Sequence, residues 1–372
     1  MRHLVTYSLL VMSLLLMNVP VQAATPRYTL DKTTIQKRLE QALTDGLIGV
    51  SLAISTPTDG LILATAGVSD RKTKTNLTPT DFSRIASCSK VWVGVAILQL
   101  VDEGKLKLSD PIGIYLHPQN VQQIANANSA TVQQILTHTS GIPDYYNKPG
   151  FGVDVPTKMD FTIDEALRYI WGDPADFAPG AQFEYSNSNT LLLAQAIETI
   201  TGKPYATVLR TRIFDPLGLN HTFIEVFEPL PRKIVRGYDF FNDEAGQEVG
   251  DKYQGGGLPD GGVVTSPADM VKFMQGLFVD GKLLRPETLA LLVTPTVKAE
   301  ENIQMGLHIF INPTRDGVRY EHDGLIDGYL AIQMHYPDTK ISVALWTNSG
   351  GAAQELSFEN LEKDVLRLIF AK

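Results

Sequence analysis

Hydrophobic and polar positions alternate along this chain in two periods, and they separate its ends from its middle. Near the start, TTIQKRLEQALTDG (residues 33–46) places apolar residues at helical spacing and ends on Gly46. GVSLAIST and LILATAGVS follow as two strands joined by the turn PTDG. From Ser87 an apolar run continues to VDEGK, with Gly104 as its stop. That segment is apolar almost all round, which predicts a buried helix rather than a surface one. The middle, from about Asp110 to Thr294, reads as helices and loops: TVQQILTH, TIDEALRYIW, NTLLLAQAIETITG and SPADMVKFMQGLF, with Gly- and Pro-rich connections. Strand patterns return in IQMGLHIFI, GYLAIQMHYP and KISVALWTN, before an amphipathic helix over residues 352–372.

Strands at both ends with helices between predict an α/β (α+β) fold in which the termini share one antiparallel sheet flanked by helices. The expected division is a discontinuous sheet domain, 24–108 with 296–372, and a mostly helical domain, 109–295. A cleft between the two is the natural place for a ligand. The length of 372 residues suits two lobes better than one core.

Composition adds three constraints. The net charge of −9 argues against nucleic acid or an anionic membrane surface as partner. A single cysteine, Cys88, excludes an intramolecular disulfide and any cysteine-based metal site, and a small buried apolar role suits it. Residues 1–23 read as a secretory signal peptide: Arg2, an apolar stretch at 4–17 too short to span a bilayer, and VQA ending at Ala23. The mature protein is expected to be secreted or periplasmic, without a stable membrane anchor.

Against that background one lysine stands out. Lys90 sits at the head of SCSKVWVGVAIL, one helical turn after Ser87. A serine needs a base before it can attack, and an apolar setting favours the neutral amine of lysine. Spacing alone is uninformative, since Ser69 and Lys72 in SDRK repeat it within a polar loop. Tyr185 and Asn187 in FEYSNSNTLLL precede an apolar helix, where a tyrosine with a lowered pKa becomes a strong base. YYN at 145–147 duplicates that pattern. His322 and Gly324 in YEHDGLIDGYL come just before a strand pattern, with glycine permitting close approach of a ligand. His138 in LTHTSG suits a loop fixed by hydrogen bonds, and Asp144 and Tyr145 fit either a cleft rim or a structural turn. YQGGGLPDGG lacks the lysine of a phosphate loop, and the seven histidines are scattered without metal-ligand spacing.

SCSK, YSN and HDG, in that order, with GKLKLSDPI, ILTHTSGIPDY and GGVVTSPADMVKFMQGL between or beside them, resemble the serine β-lactamase and penicillin-binding-protein superfamily, in its class C-like branch. The resemblance spans nearly the whole mature chain. It implies a β-lactamase/transpeptidase-like fold and a serine hydrolase acting through an acyl-enzyme without metal or cofactor. Ser87 would be the nucleophile, Lys90 its partner in proton transfer, and Tyr185 general base and acid. Asn187 would position Lys90 and the substrate amide. His322 would aid Tyr185 or meet a substrate carboxylate, with Gly324 beside it. The backbone N–H groups of Ser87 and Leu325 would form the oxyanion hole. A D-alanyl-D-alanine carboxypeptidase is the expected activity, with a β-lactamase, an esterase of small esters or a non-hydrolytic penicillin sensor as alternatives. A small peptide, β-lactam or ester is the expected partner of a monomeric protein. HDG departs from the Lys-Thr-Gly of class C β-lactamases, and Asp323 puts a carboxylate where one on the substrate would be unwelcome.

Overall fold

The computed structural model describes residues 30–151, 161–241, 244–249 and 256–370. The predicted signal peptide lies outside them. Among them no helix is long and apolar enough to cross a membrane.

Helix α1 (Lys32–Thr44) starts at Asp31, whose side chain accepts the Thr33 N–H, and presents Ile35, Leu39 and Ala42 as its buried stripe. Strands β1 (Gly49–Thr56) and β2 (Gly60–Asp70) form the hairpin expected from their alternation, followed by the short β3 (Thr75–Asn76). Six further strands come from the C-terminal part: β4 (Val297–Lys298), β5 (Gln304–Met305), β6 (Phe310–Thr314), β7 (Gly317–Ile326), β8 (Tyr329–Tyr336) and β9 (Ile341–Thr347). All nine build one sheet in the order β3-β2-β1-β9-β8-β7-β6-β5-β4, and its paired strands run antiparallel. The first and last thirds of the chain meet where β1 pairs β9, with Leu52 opposite Leu345.

The alternation of side chains sends each strand into two cores. Leu52, Ile54, Met334 and Val343 face α1 and the C-terminal helix α5 (Ala352–Ile369), which adds Leu361, Val365 and Ile369. Ala53, Ala331, Ala344 and Trp346 face the other way, onto α2 (Ser89–Asp102), α3 (Asn187–Thr201) and α4 (Pro267–Phe278). Helix α2 is buried from Ser89 to Leu98, as an all-round apolar helix must be. Trp92 anchors it, stacked on Phe273 at 4.0 Å and edge-on to Phe214 at 5.5 Å.

Three local readings differ from expectation. IQMGLHIFI is two strands, not one: a Cβ on Gly306 would lie 2.2 Å from the Leu292 carbonyl oxygen, and His308 takes a left-handed φ of 70°. HDG lies inside β7 rather than ahead of a strand. The middle also contributes strands, since Thr222–Ile224, Val263–Thr265 and Ser83–Arg84 form a small sheet that delivers the chain to α2.

Candidate active site

Ser87 sits in a tight 3-10 turn, Ala86–Cys88, between the strand at Ser83–Arg84 and α2. The turn is built at some conformational cost, because Ala86 takes φ 46° without being glycine. Several contacts hold it. The Ile85 N–H donates to the Val263 carbonyl, the Cys88 thiol to the His322 carbonyl at 3.1 Å, and the Gln333 amide to the Cys88 carbonyl at 2.8 Å. Trp92 Nε1 donates to Gln333 Oε1, so one core residue ties α2 to the side chain that clamps the turn.

Lys90 occupies the first turn of α2 and is fully buried. Its Nζ donates to Ser87 Oγ at 2.9 Å and to the Asp260 carbonyl at 2.8 Å. Burial pushes its pKa below the usual lysine value, while Asp260 and Asp144 pull the other way. The Asp260 carboxylate accepts the Tyr145 hydroxyl at 2.9 Å. YQGGGLPDGG therefore supplies the acceptor that fixes Lys90, a part that no sequence signal assigned to it.

Tyr185 lies just ahead of α3. The Lys90 side-chain nitrogen stands 5.1 Å from its ring centroid, and the His138 ring stacks on the Tyr185 ring at 4.5 Å. His138 fixes this segment, as expected: its Nδ1 accepts the Ser186 N–H and its carbonyl accepts the Glu184 N–H. The Tyr185 hydroxyl is buried without a well-formed hydrogen bond, near enough to Ser87 for that hydroxyl to favour the phenolate. Burial outweighs this and holds the phenol well above its ordinary pKa, so it is neutral at rest.

Asn187 starts α3, two residues earlier than the predicted helix. Its N–H and side-chain amide both bind the Asp144 carboxylate, at 3.1 and 2.9 Å. Lys90 makes its hydrogen bonds elsewhere, so the contact expected between Asn187 and Lys90 is replaced here by one to Asp144. Asp144 is thus both a structural cap and a carboxylate acting on the site.

β7 brings His322 and Gly324 to the same place. The His322 ring is buried 6.2 Å from that of Tyr185 and 5.1 Å from that of Phe310. Burial, with Lys90 nearby, lowers its pKa to about 3, so the resting ring carries no positive charge. Gly324 passes close under Ser87: a Cβ there would lie 2.2 Å from the Ile85 carbonyl oxygen and 3.0 Å from the Ser87 nitrogen. Leu325, next in β7, is half exposed.

A serine held by a buried lysine, faced by a tyrosine and flanked by a strand edge is an arrangement for acyl transfer. The profile of the Beta-lactamase family matches residues 35–365. The chain belongs to that family. As a member of the serine β-lactamase and penicillin-binding-protein superfamily it is a serine hydrolase by kind, and the fold agrees. It is 28% identical over 290 residues to the putative penicillin-binding protein PbpX of Bacillus subtilis, covering 76% of this chain and 66% of that protein. It is 31% identical over 198 residues to the D-alanyl-D-alanine-carboxypeptidase/endopeptidase AmpH of Escherichia coli, covering 52% of this chain and 48% of that one. The chain thus spans less than two thirds of the length of these curated relatives. Among solved structures, D-amino acid amidase from Ochrobactrum anthropi superposes with a TM-score of 0.77 at 28% identity, over 90% of this chain and 96% of that one.

Proposed function

We propose that this β-lactamase-family member is an exported hydrolase that cleaves an amide bond beside a D-configured residue, through an acyl-enzyme on Ser87. The observation that carries the reading is the 2.9 Å contact between Lys90 Nζ and Ser87 Oγ inside a buried pocket. Lys90, in its neutral form, takes the Ser87 proton as Oγ attacks the substrate carbonyl. Burial favours the neutral amine of Lys90 and the neutral phenol of Tyr185, which suits the first to accept a proton and the second to donate one. The tetrahedral oxyanion rests on the backbone N–H groups of Ser87 and Leu325. Tyr185 gives its phenol proton to the leaving nitrogen as the carbon–nitrogen bond breaks, and the proton held on Lys90 replaces it. Water then attacks the ester, its proton leaves by the same groups, and Ser87 is regenerated. Asn187 orients the substrate amide once Asp144 has fixed it. Export follows from residues 1–23.

A D-alanyl-D-alanine carboxypeptidase is one form of this activity, supported by the likeness to AmpH. A D-amino acid amidase is a second reading, supported by the extent of the structural match. The test is a panel: a D-alanyl-D-alanine peptide, a D-amino acid amide, a chromogenic cephalosporin, a p-nitrophenyl ester and a fluorescent penicillin, followed by product and intact mass. Release of D-alanine or of ammonia supports one reading or the other, and fast cephalosporin turnover supports a β-lactamase. A lasting penicillin adduct without turnover supports a sensor. Activity that survives Ser87→Ala refutes the assignment.

A further inference from the structure

The two groups that β7 offers beside the nucleophile have a definite polarity. His322 Nδ1 lies 2.7 Å from the Asp323 carbonyl oxygen, which can only accept, so Nδ1 carries the ring's proton. A neutral imidazole has one N–H, so Nε2 presents a bare lone pair. That atom is buried and has no partner among the described residues. The next side chain, Asp323, points the other way along the strand and is 75% exposed. It lines a groove of about 530 Å³ between β7 and α5, together with Gly324, Leu325, Phe310, Glu300 and Glu355. Gly324 lines this groove with its backbone while its other face passes Ser87, so Asp323 stands on the reverse face of β7, one residue from that contact, and its charge acts on Lys90 and Tyr185 through space.

The groove's basic residues are already engaged. Arg319 binds Glu321 and Glu362, and Lys363 binds Glu359. Asp323 faces only the uncharged His322 ring, 3.8 Å from its Nδ1, and feels Lys90 and Arg319 at longer range. At the other side of the nucleophile, Lys90 is buried and committed to Ser87 and Asp260. A carboxylate on the substrate would therefore meet a lone pair and carboxylates rather than a cation.

We infer that β7 selects by charge: the site accepts an uncharged amide or a cationic group along this strand and turns away a free carboxylate. The inference rests on the serine-hydrolase reading and narrows its substrate. It favours D-amino acid amides and amide-capped D-peptides over D-peptides ending in a free acid.

The matched pair D-alanyl-D-alaninamide and D-alanyl-D-alanine tests this, with p-nitrophenyl acetate as a small uncharged reference. The full mature protein should favour the amide by about tenfold in kcat/KM, the scale of one like-charge contact near a surface. Asp323→Asn should shrink that preference and Asp323→Lys should reverse it, read as the ratio of the two matched substrates so that any common change in rate, which the acetate reports, cancels. Because Asp323 is exposed, neither change strains the core. Raising salt should weaken the preference, which a purely steric effect would not show. A free acid hydrolysed as well as the amide, or a ratio unmoved by both substitutions, overturns the charge selection alone. If none of the three substrates acylates Ser87, the hydrolase reading falls and the charge selection falls with it.

Discussion

Gly324→Ala perturbs the site at the point where β7 passes the nucleophile. The added Cβ would stand 2.2 Å from the Ile85 carbonyl oxygen, against 3.4 Å or more for an ordinary contact. Both sides of the clash are backbone, so no side chain can turn away, and β7 or the turn must retreat by about 1.2 Å. The Ser87 nitrogen, 3.0 Å from the same Cβ, moves relative to the strand as well. Overpacking of this kind costs about 1–3 kcal/mol, which a folded protein can survive as a lower Tm. Catalysis should suffer more. Displacing reacting groups by about 1 Å costs on the order of 10²-fold, and losing an oxyanion donor about 10²–10³-fold. We therefore expect kcat/KM on a p-nitrophenyl ester to fall about 10²–10³-fold, mainly in kcat, in a protein that still unfolds cooperatively. Stopped-flow acylation with thermal unfolding on the same sample reads both. A folded Gly324→Ala protein within about threefold of the parent would refute the placement of β7 as part of the oxyanion site.

Lys90→Arg keeps a cation but cannot give up its proton, so acylation should drop by about 10²–10⁴-fold, and near-parent activity would show that Lys90 acts only as a charge. Burial lowers the pKa of His308, His322 and His335 to about 3, so their imidazole NMR signals should hold neutral shifts down to pH 5. Each folded-state value lies below the ordinary 6.5, so the unfolded chain binds the extra proton. Each ring then costs the fold about 1.4 kcal/mol per pH unit as pH falls from 6.5 towards 3. A ring titrating near 6.5 would contradict its burial. Burial also pushes the Cys88 thiol well above its ordinary pKa, so a disulfide reagent should label it only after denaturation, and rapid labelling of native protein would place it at the surface.

The sequence made the periodic elements plain. The β1–β2 hairpin, β8, β9, α2 and α5 each bury a stripe or a face whose period shows directly in the residues. Ser87 and Lys90 were legible because one helical turn and an apolar setting together specify a contact. β7 was less so: its outer face carries Arg319, Glu321 and Asp323 over a groove, so charges interrupt the alternation. The break in IQMGLHIFI comes from the close approach of Gly306 to the Leu292 carbonyl, a tertiary contact that no periodicity reports. Asp260 was invisible for a different reason. It holds Lys90 through its backbone carbonyl, an acceptor that every residue carries. Asn187 could be found as a residue but not by its partner, because Asp144 arrives from a loop 43 positions away.

The central claim is that Ser87 is the residue acylated. Fluorescent penicillin, quenched early and followed by intact mass and peptide mapping, addresses it directly. We expect one adduct per chain, on the peptide containing Ser87, and none in Ser87→Ala. An adduct on another residue, or one of equal yield in Ser87→Ala, would contradict the account.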